Sequence, residues 1–354
     1  MKIAFFGDIG LFGKFDNRNF DYKSYFEDIK KITNDCDYLI GNLEAPITEN
    51  HNEKGYKSAY IRSSINTAKI LEYIGFTHLN LANNHMLDYG YLGLHQTIKI
   101  CSDLSIETYG YDDKNCYICS SGTEVKLSGF VSCDSSPIFK DKGHFLNEFN
   151  AKNIKSKISK DNLNILSVHF GIEHVPVPDP AYIKFFRNLS KKHNFILHGH
   201  HPHEIQGNEM VNNSLINYSH GNFIFDDVYR HNKLLIKQTD ENKKGLVVVV
   251  EIDDNEIKNY QNFFTYLGTN RLNLISDKDR HQYRLNCLKM NFEEIKEIRK
   301  LRRESFSINQ KKKRDIDWYL NRINLYYAFL FISNKINHNK SKKLLEDINN
   351  DIYS

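Results

Sequence analysis

Short apolar runs recur along this chain, and most of them are too brief to be helices. Residues 3–7, 38–43 and 78–82 read as strands, while residues 22–32, 65–74 and 91–104 between them carry helical spacing. Gly75 closes the second of these helices where a left-handed cap is wanted. Such alternation predicts a layered α/β domain. Further on, residues 125–131, 165–169, 195–198 and 215–218 are strand-like, and Asp179-Pro180 is a cap-then-proline start for a helix through Leu189. The β-branched run 245–250 predicts a strand, paired as a hairpin with 256–267 across Asp253-Asp254-Asn255. From about Leu272 the pattern becomes charged and helical. Ile316, Tyr319, Leu320, Ile323, Tyr326, Tyr327 and Leu330 form one apolar stripe there.

The apolar runs end on an unusual set of residues. Asp8, Glu44, Asn84-His85, His169, His201 and His203 each come at or just after the end of a predicted strand. Side chains at the carboxyl ends of adjacent strands converge on one crevice in an open α/β sheet. Carboxylate, carboxamide and imidazole groups drawn from separate strands are how a two-metal hydrolytic centre is assembled. The run His198-Gly199-His200-His201-Pro202-His203 does not by itself say which of its imidazoles are ligands. Glu173 and His174 belong to a pocket rim or to solvent. His78, His95 and His193 lack partner signatures and are read as structural, and Tyr218 and Asn222 fit either hydrogen bonding behind the ligands or strand-end packing.

The motifs, in order, resemble the calcineurin-like metallophosphoesterase superfamily, and more narrowly its CapA-type capsule (poly-γ-glutamate) synthesis proteins. The resemblance rests on Asn42-Leu43-Glu44, on Ala82-Asn83-Asn84-His85 with Asp88 and Gly90, on His169-Phe170-Gly171-Ile172-Glu173, on Gly199-His200-His201-Pro202-His203 and on Tyr218-Ser219-His220-Gly221-Asn222-Phe223. It implies a four-layer α/β/β/α sandwich over residues 1–271, followed by a basic helical extension over 272–354. It implies metal ligation by Asp8, Glu44 (where related phosphoesterases use a bridging Asp), Asn84, His169, His201 and His203, with two divalent ions (Mn, Fe or Zn) expected. His85 would face the substrate, and Asp88 would orient it. Phe170 stands where that family carries Trp, His220 where it carries Leu, and the first motif has no Asp-x-His.

The implied function is metal-dependent hydrolysis in the synthesis, trimming or release of a capsular or surface polymer, poly-γ-glutamate or a polysaccharide. The alternatives are a general phosphoesterase on a nucleotide or sugar phosphate, or a non-catalytic capsule assembly factor.

Composition alters this picture only at the margins. With 354 residues, 40% of them hydrophobic, a sizeable core is possible, and a net charge of +4 does not call for nucleic acid. The charge is uneven: residues 296–314 hold nine Lys/Arg and two Glu. Such a basic run reads first as a solvated helix face, with contact to an anionic surface or polymer as the alternative, and the apolar stripe as packed on the main domain or on another subunit; the substrate is expected to be an anionic polymer or a phosphorylated small molecule. Six cysteines show no disulfide framework, and the lone Cys116-x-x-Cys119 reads as strand. Without a signal peptide or a long apolar span, the chain is expected to be soluble and cytoplasmic.

Overall fold

A computed structural model of the chain describes residues 1–120, 122–132, 140–160, 162–230, 233–275, 289–312 and 325–351. Two sheets form its centre. The first contains β1 (Lys2–Ile9), β2 (Tyr38–Leu43), β3 (His78–Asn80) and β4 (Glu107–Tyr109), all parallel. The second contains β5 (Cys116–Ser120), β6 (Thr123–Val131), β7 (Asn164–His169), β8 (Phe195–His200), β9 (Asn208–Val211) and β10 (Ser214–Asn217) in the order β9-β10-β8-β7-β6-β5. The first sheet then gains β11 (Asn222–Ile224), β12 (Lys244–Asp253), β13 (Glu256–Leu267) and β14 (Leu272–Ile275). Its order is β14-β13-β12-β1-β2-β3-β4, with β11 pairing the end of β1.

Side-chain alternation on these strands explains the layers. On β1, Ile3 and Phe5 join a core shared by both sheets, whereas Ala4 and Phe6 point to the opposite face. β12 divides in the same way, with Val248 and Val250 inward and Val247 and Val249 outward. In the second sheet Ile165 and Ile196 enter the shared core, while Leu166, Phe195 and Leu197 face the other side. A strand buried on both faces must be apolar throughout, which is why these runs do not alternate with polar residues.

The outer layers are helical. Outside the first sheet lie α1 (Tyr22–Tyr25), α2 (Glu27–Thr33), α3 (Ala68–Ile74) and α4 (Gly90–Asp103). Outside the second lie α5 (Ala151–Lys157), α6 (Pro180–Leu189), α7 (Phe292–Lys312) and α8 (Leu325–Asp351), the last two docking through Ile295, Leu344 and Ile348. This is the four-layer α/β/β/α sandwich.

Local departures have physical causes. The expected helix over 22–32 is broken at Phe26, which leaves helical backbone angles between α1 and α2. Strand β3 stops at Asn80 because the Asn80 side chain accepts from the Ala82 N–H and turns the chain. Residues 272–275 form an edge strand, not helix, and bury Leu272 in the core outside the first sheet. Ile316, Tyr319, Leu320 and Ile323 of the apolar stripe, and Cys133 and Cys287, lie outside the described residues. Cys116 is buried and Cys119 exposed on β5, so the two thiols do not share a face. Gly75 adopts φ +95°, as its capping place requires. No helix among the described residues is long and apolar enough to cross a membrane.

The two sheets touch where the site forms. His198 Nε2 on β8 lies 2.7 Å from the Phe6 carbonyl on β1, which it meets as donor. Two glycines make room for residues 218–221, which cross from β10 of the second sheet to β11 of the first: a Cβ on Gly7 would strike the Gly221 carbonyl, and one on Gly199 the Tyr218 carbonyl. Backbone atoms cannot move aside as a flexible side chain can. Gly199→Ala is therefore expected to destabilise the protein by about 1–3 kcal/mol, the usual range for overpacking. A urea unfolding midpoint unchanged from wild type would contradict this.

Candidate metal centre

Asp8 is fully buried at the end of β1, beside the tip of β2. Asn42 donates through Nδ2 to Asp8 Oδ1 at 2.8 Å, and the His201 N–H donates to Oδ2 at 3.2 Å. Asn42 is itself held by Asn80, whose Nδ2 donates to its Oδ1 at 2.9 Å. His200 Nδ1 lies 3.0 Å from Asp8 Oδ1 without the alignment of a hydrogen bond. Burial pushes the Asp8 carboxyl up, but His200, His203 and the Asn42 amide outweigh it and hold it below its ordinary value.

Glu44 follows β2 and differs from Asp8 in one respect. Both its carboxylate oxygens are buried with no hydrogen-bond partner. Three imidazole nitrogens surround Oε1: His203 Nε2 at 3.7 Å, His169 Nε2 at 3.8 Å and His85 Nε2 at 4.0 Å. Burial, then the charge of Asp8, raises the Glu44 pKa well above the ordinary value. An ionised carboxylate so placed calls for a cation.

Two groups of candidate ligands meet at Glu44. In the first, one ligand atom each from Asp8, Glu44 and His203 lies within 4.8 Å of the others. His203 lies 2.8 Å from the Asn222 carboxamide oxygen through Nδ1, which fixes the ring and turns Nε2 to Glu44. In the second, His169 Nε2 is 2.9 Å from Asn84 Oδ1 and 3.1 Å from His201 Nδ1. Ligand atoms about 2.1 Å from one ion stand roughly 3 Å apart, so these spacings suit a shared cation. His201 and His203 have φ of +97° and +53°, a conformation disfavoured for any side-chain-bearing residue. Strain of this kind gathers at functional sites.

The structure thus brings together all six residues predicted to bind metal. His85 and Asp88 stand beside them: His85 Nδ1 is 2.7 Å from Asp88 Oδ2, and the Ile61 N–H donates to the same oxygen at 2.9 Å. His198, in contrast, is tied to Ser167 and to the Phe6 carbonyl and serves the join between the sheets. His220 bonds the Leu246 carbonyl, and burial pushes its pKa down to about 3. Glu173 and His174 line the cavity wall.

Lys57 was not legible in the sequence. It is 7% exposed and ion-pairs with Asp88 Oδ1. It also donates to the Asn84 carbonyl at 2.7 Å and lies 3.2 Å from His85 Nδ1. Burial first, and then the Lys57 cation, lower the His85 pKa against the pull of Asp88. The ring is therefore neutral, with Nδ1–H directed at Asp88 and Nε2 at the cavity. That cavity, of about 360 Å³, opens from Asn84, His85 and His203.

Residues 2–227 match the family model described as bacterial capsule synthesis protein PGA_cap. The PGA biosynthesis protein CapA of Bacillus subtilis (strain 168) is 29% identical over 280 residues, 72% of this chain and 72% of that protein. The capsule biosynthesis protein CapA of Bacillus anthracis is 29% identical over 227 residues, 59% of this chain and 55% of that one. This chain matches about half the length of that second relative. A hypothetical protein from Thermus thermophilus superposes with a TM-score of 0.45 at 11% identity, covering 75% of this chain and 98% of that one. With its polar motifs gathered around Glu44 and the match running from β1 through β11, the chain belongs to the bacterial capsule synthesis PGA_cap family.

Proposed function

We propose that the protein is a metal-dependent hydrolase acting on an anionic capsular or surface polymer, and that two divalent ions share Glu44. The observation that carries this reading is the buried Glu44 carboxylate, unpartnered by hydrogen bonds and faced by three imidazoles. Asp8, Glu44 and His203 would hold one ion, and Asn84, His169, His201 and Glu44 the other. Ions bound there would polarise the scissile group and make water a nucleophile near neutral pH. The polymer comes from the names of the relatives, since the residues themselves specify only an anionic or polar substrate.

The remaining chemistry belongs to the chain. Asp88 holds His85 in one tautomer, so that Nε2 is the atom that exchanges a proton at the reacting group. Lys57 keeps Asp88 ionised and fixes the Asn84 backbone beside it. Asn222 orients His203 through its carboxamide oxygen, and Asn42 orients Asp8 through its amide N–H.

Two outcomes test this. Manganese added to chelator-treated protein is expected to raise its unfolding free energy, by about 2.7 kcal/mol at a hundredfold excess over Kd. Glu44→Gln removes a buried charge, so the chelated variant should be at least as stable as chelated wild type while losing the gain with manganese. Calorimetric melting with and without the ion reads both, and an undiminished gain in Glu44→Gln refutes the shared ligand. For catalysis, His85→Ala is expected to lower hydrolysis of bis-p-nitrophenyl phosphate about 10²- to 10⁴-fold at unchanged metal content. Asp88→Asn should lower it about 10- to 100-fold. Equal rates in all three proteins would remove the enzyme and leave an assembly factor.

A further inference from the structure

We propose that α7 and α8 form an anion-binding track leading out of the metal cavity, so that the substrate is an extended polyanion with one unit at the centre and the next units along α7. This takes the polymer substrate proposed above as its starting point, and adds where the polymer lies.

The first observation is the face of α8. Tyr326, Leu330, Asn334, Asn337, Ser341, Leu344 and Ile348 recur at steps of three or four, one stripe of a 27-residue helix about 40 Å long. The two ends of the stripe are anchored. Tyr326 donates to the Lys57 carbonyl at 2.8 Å, and its ring meets Tyr56. Leu344 and Ile348 are buried against the helices outside the second sheet. From Asn334 to Ser341 the stripe is polar, and Asn334, Asn337 and Ser341, with His338 beside them, line the metal cavity. A stripe that only packed would be apolar along its length. Its polar middle stands where a ligand passes.

A second observation concerns α7. Lys296, Arg299, Lys300 and Arg303 occupy positions i, i+3, i+4 and i+7, and so share one face. They line a second cleft of about 600 Å³ together with Lys184, against the carboxylates of Asp179 and Glu304. Arg299 is the structural member of this set: it is 7% exposed and pairs with Asp179 at 2.8 Å, which fixes α7 on α6. Lys296 pairs with Glu293 at 2.6 Å on the helix surface.

Arg303 lines both spaces, and so joins the metal cavity to the basic cleft. The metal cavity, at about 360 Å³, is near the lower limit of small-molecule sites and cannot enclose a polymer. From Arg303 back to Lys296 is two helical turns, roughly 10 Å, room for a few repeat units. Clustered like charges along such a path attract a polyanion more strongly than a single anion.

The test is anisotropy of fluorescein-labelled γ-linked oligoglutamates of two and ten units, titrated with full-length protein, both manganese-loaded and chelated. Wild type is expected to bind the decamer at least about tenfold more tightly than the dimer, with the advantage shrinking as salt is raised. In the Lys300→Ala/Arg303→Ala variant, checked for an unchanged melting curve, the advantage should collapse towards unity. Because both side chains are exposed, the variant is expected to fold. Equal affinity of wild type for both lengths overturns the track, as does a decamer advantage that survives the double substitution. A protein that takes up no metal and hydrolyses nothing would defeat the hydrolase reading, yet a length preference lost in the variant would still sustain the track.

Discussion

A carboxylate taken fully out of water without a partner costs several kcal/mol, and the fold around Glu44 is organised by that cost. Glu44 has no hydrogen bond on either oxygen, and Asp8, a second buried carboxylate, stands nearby to raise its pKa further. His169 and His85, at 3.8 and 4.0 Å, do not discharge it, because burial holds both rings neutral. The cation proposed for this site would reconcile these groups. The surrounding amides and carbonyls are consistent with that demand: Asn42, Asn222 and Asp88 each turn a ligand or an imidazole inward.

Supplying those groups to one point requires strands from both sheets to end together. β1 and β2 bring Asp8 and Glu44 from the first sheet, and β7 and β8 bring His169 and the histidine run from the second. Close backbone approach at Gly7 and Gly199 makes the junction possible, and His198 ties it. The sandwich is thus more than a support for the site. Its seam is the site, and the cavity opens where the seam meets the C-terminal helices.

Much of this was legible in the chain. Apolar runs of strand length, each followed by a ligand-type residue, predicted both the layered fold and the convergence of Asp8, Glu44, Asn84, His169, His201 and His203. Periodicity and strand-end chemistry are local signals, and they held because the strands are buried on both faces. Lys57 was hidden because it lies in an aperiodic polar stretch, and nothing adjacent in sequence marks it as the partner of Asp88. The place of α8 was hidden for a related reason. Tyr326 meets the Lys57 carbonyl across 269 positions, and a helix face declares its own amphipathicity but not what it covers. The split of roles among the four histidines of residues 198–203 was equally beyond pattern, since it depends on left-handed backbone at His201 and His203.

The most direct test of a cation shared at Glu44 is an anomalous difference map from crystals grown with manganese. Density is expected within about 2.3 Å of a Glu44 oxygen, flanked by Asp8 and His203 on one side and by Asn84 and His169 on the other. A map with full-occupancy manganese elsewhere and none touching Glu44 would contradict it.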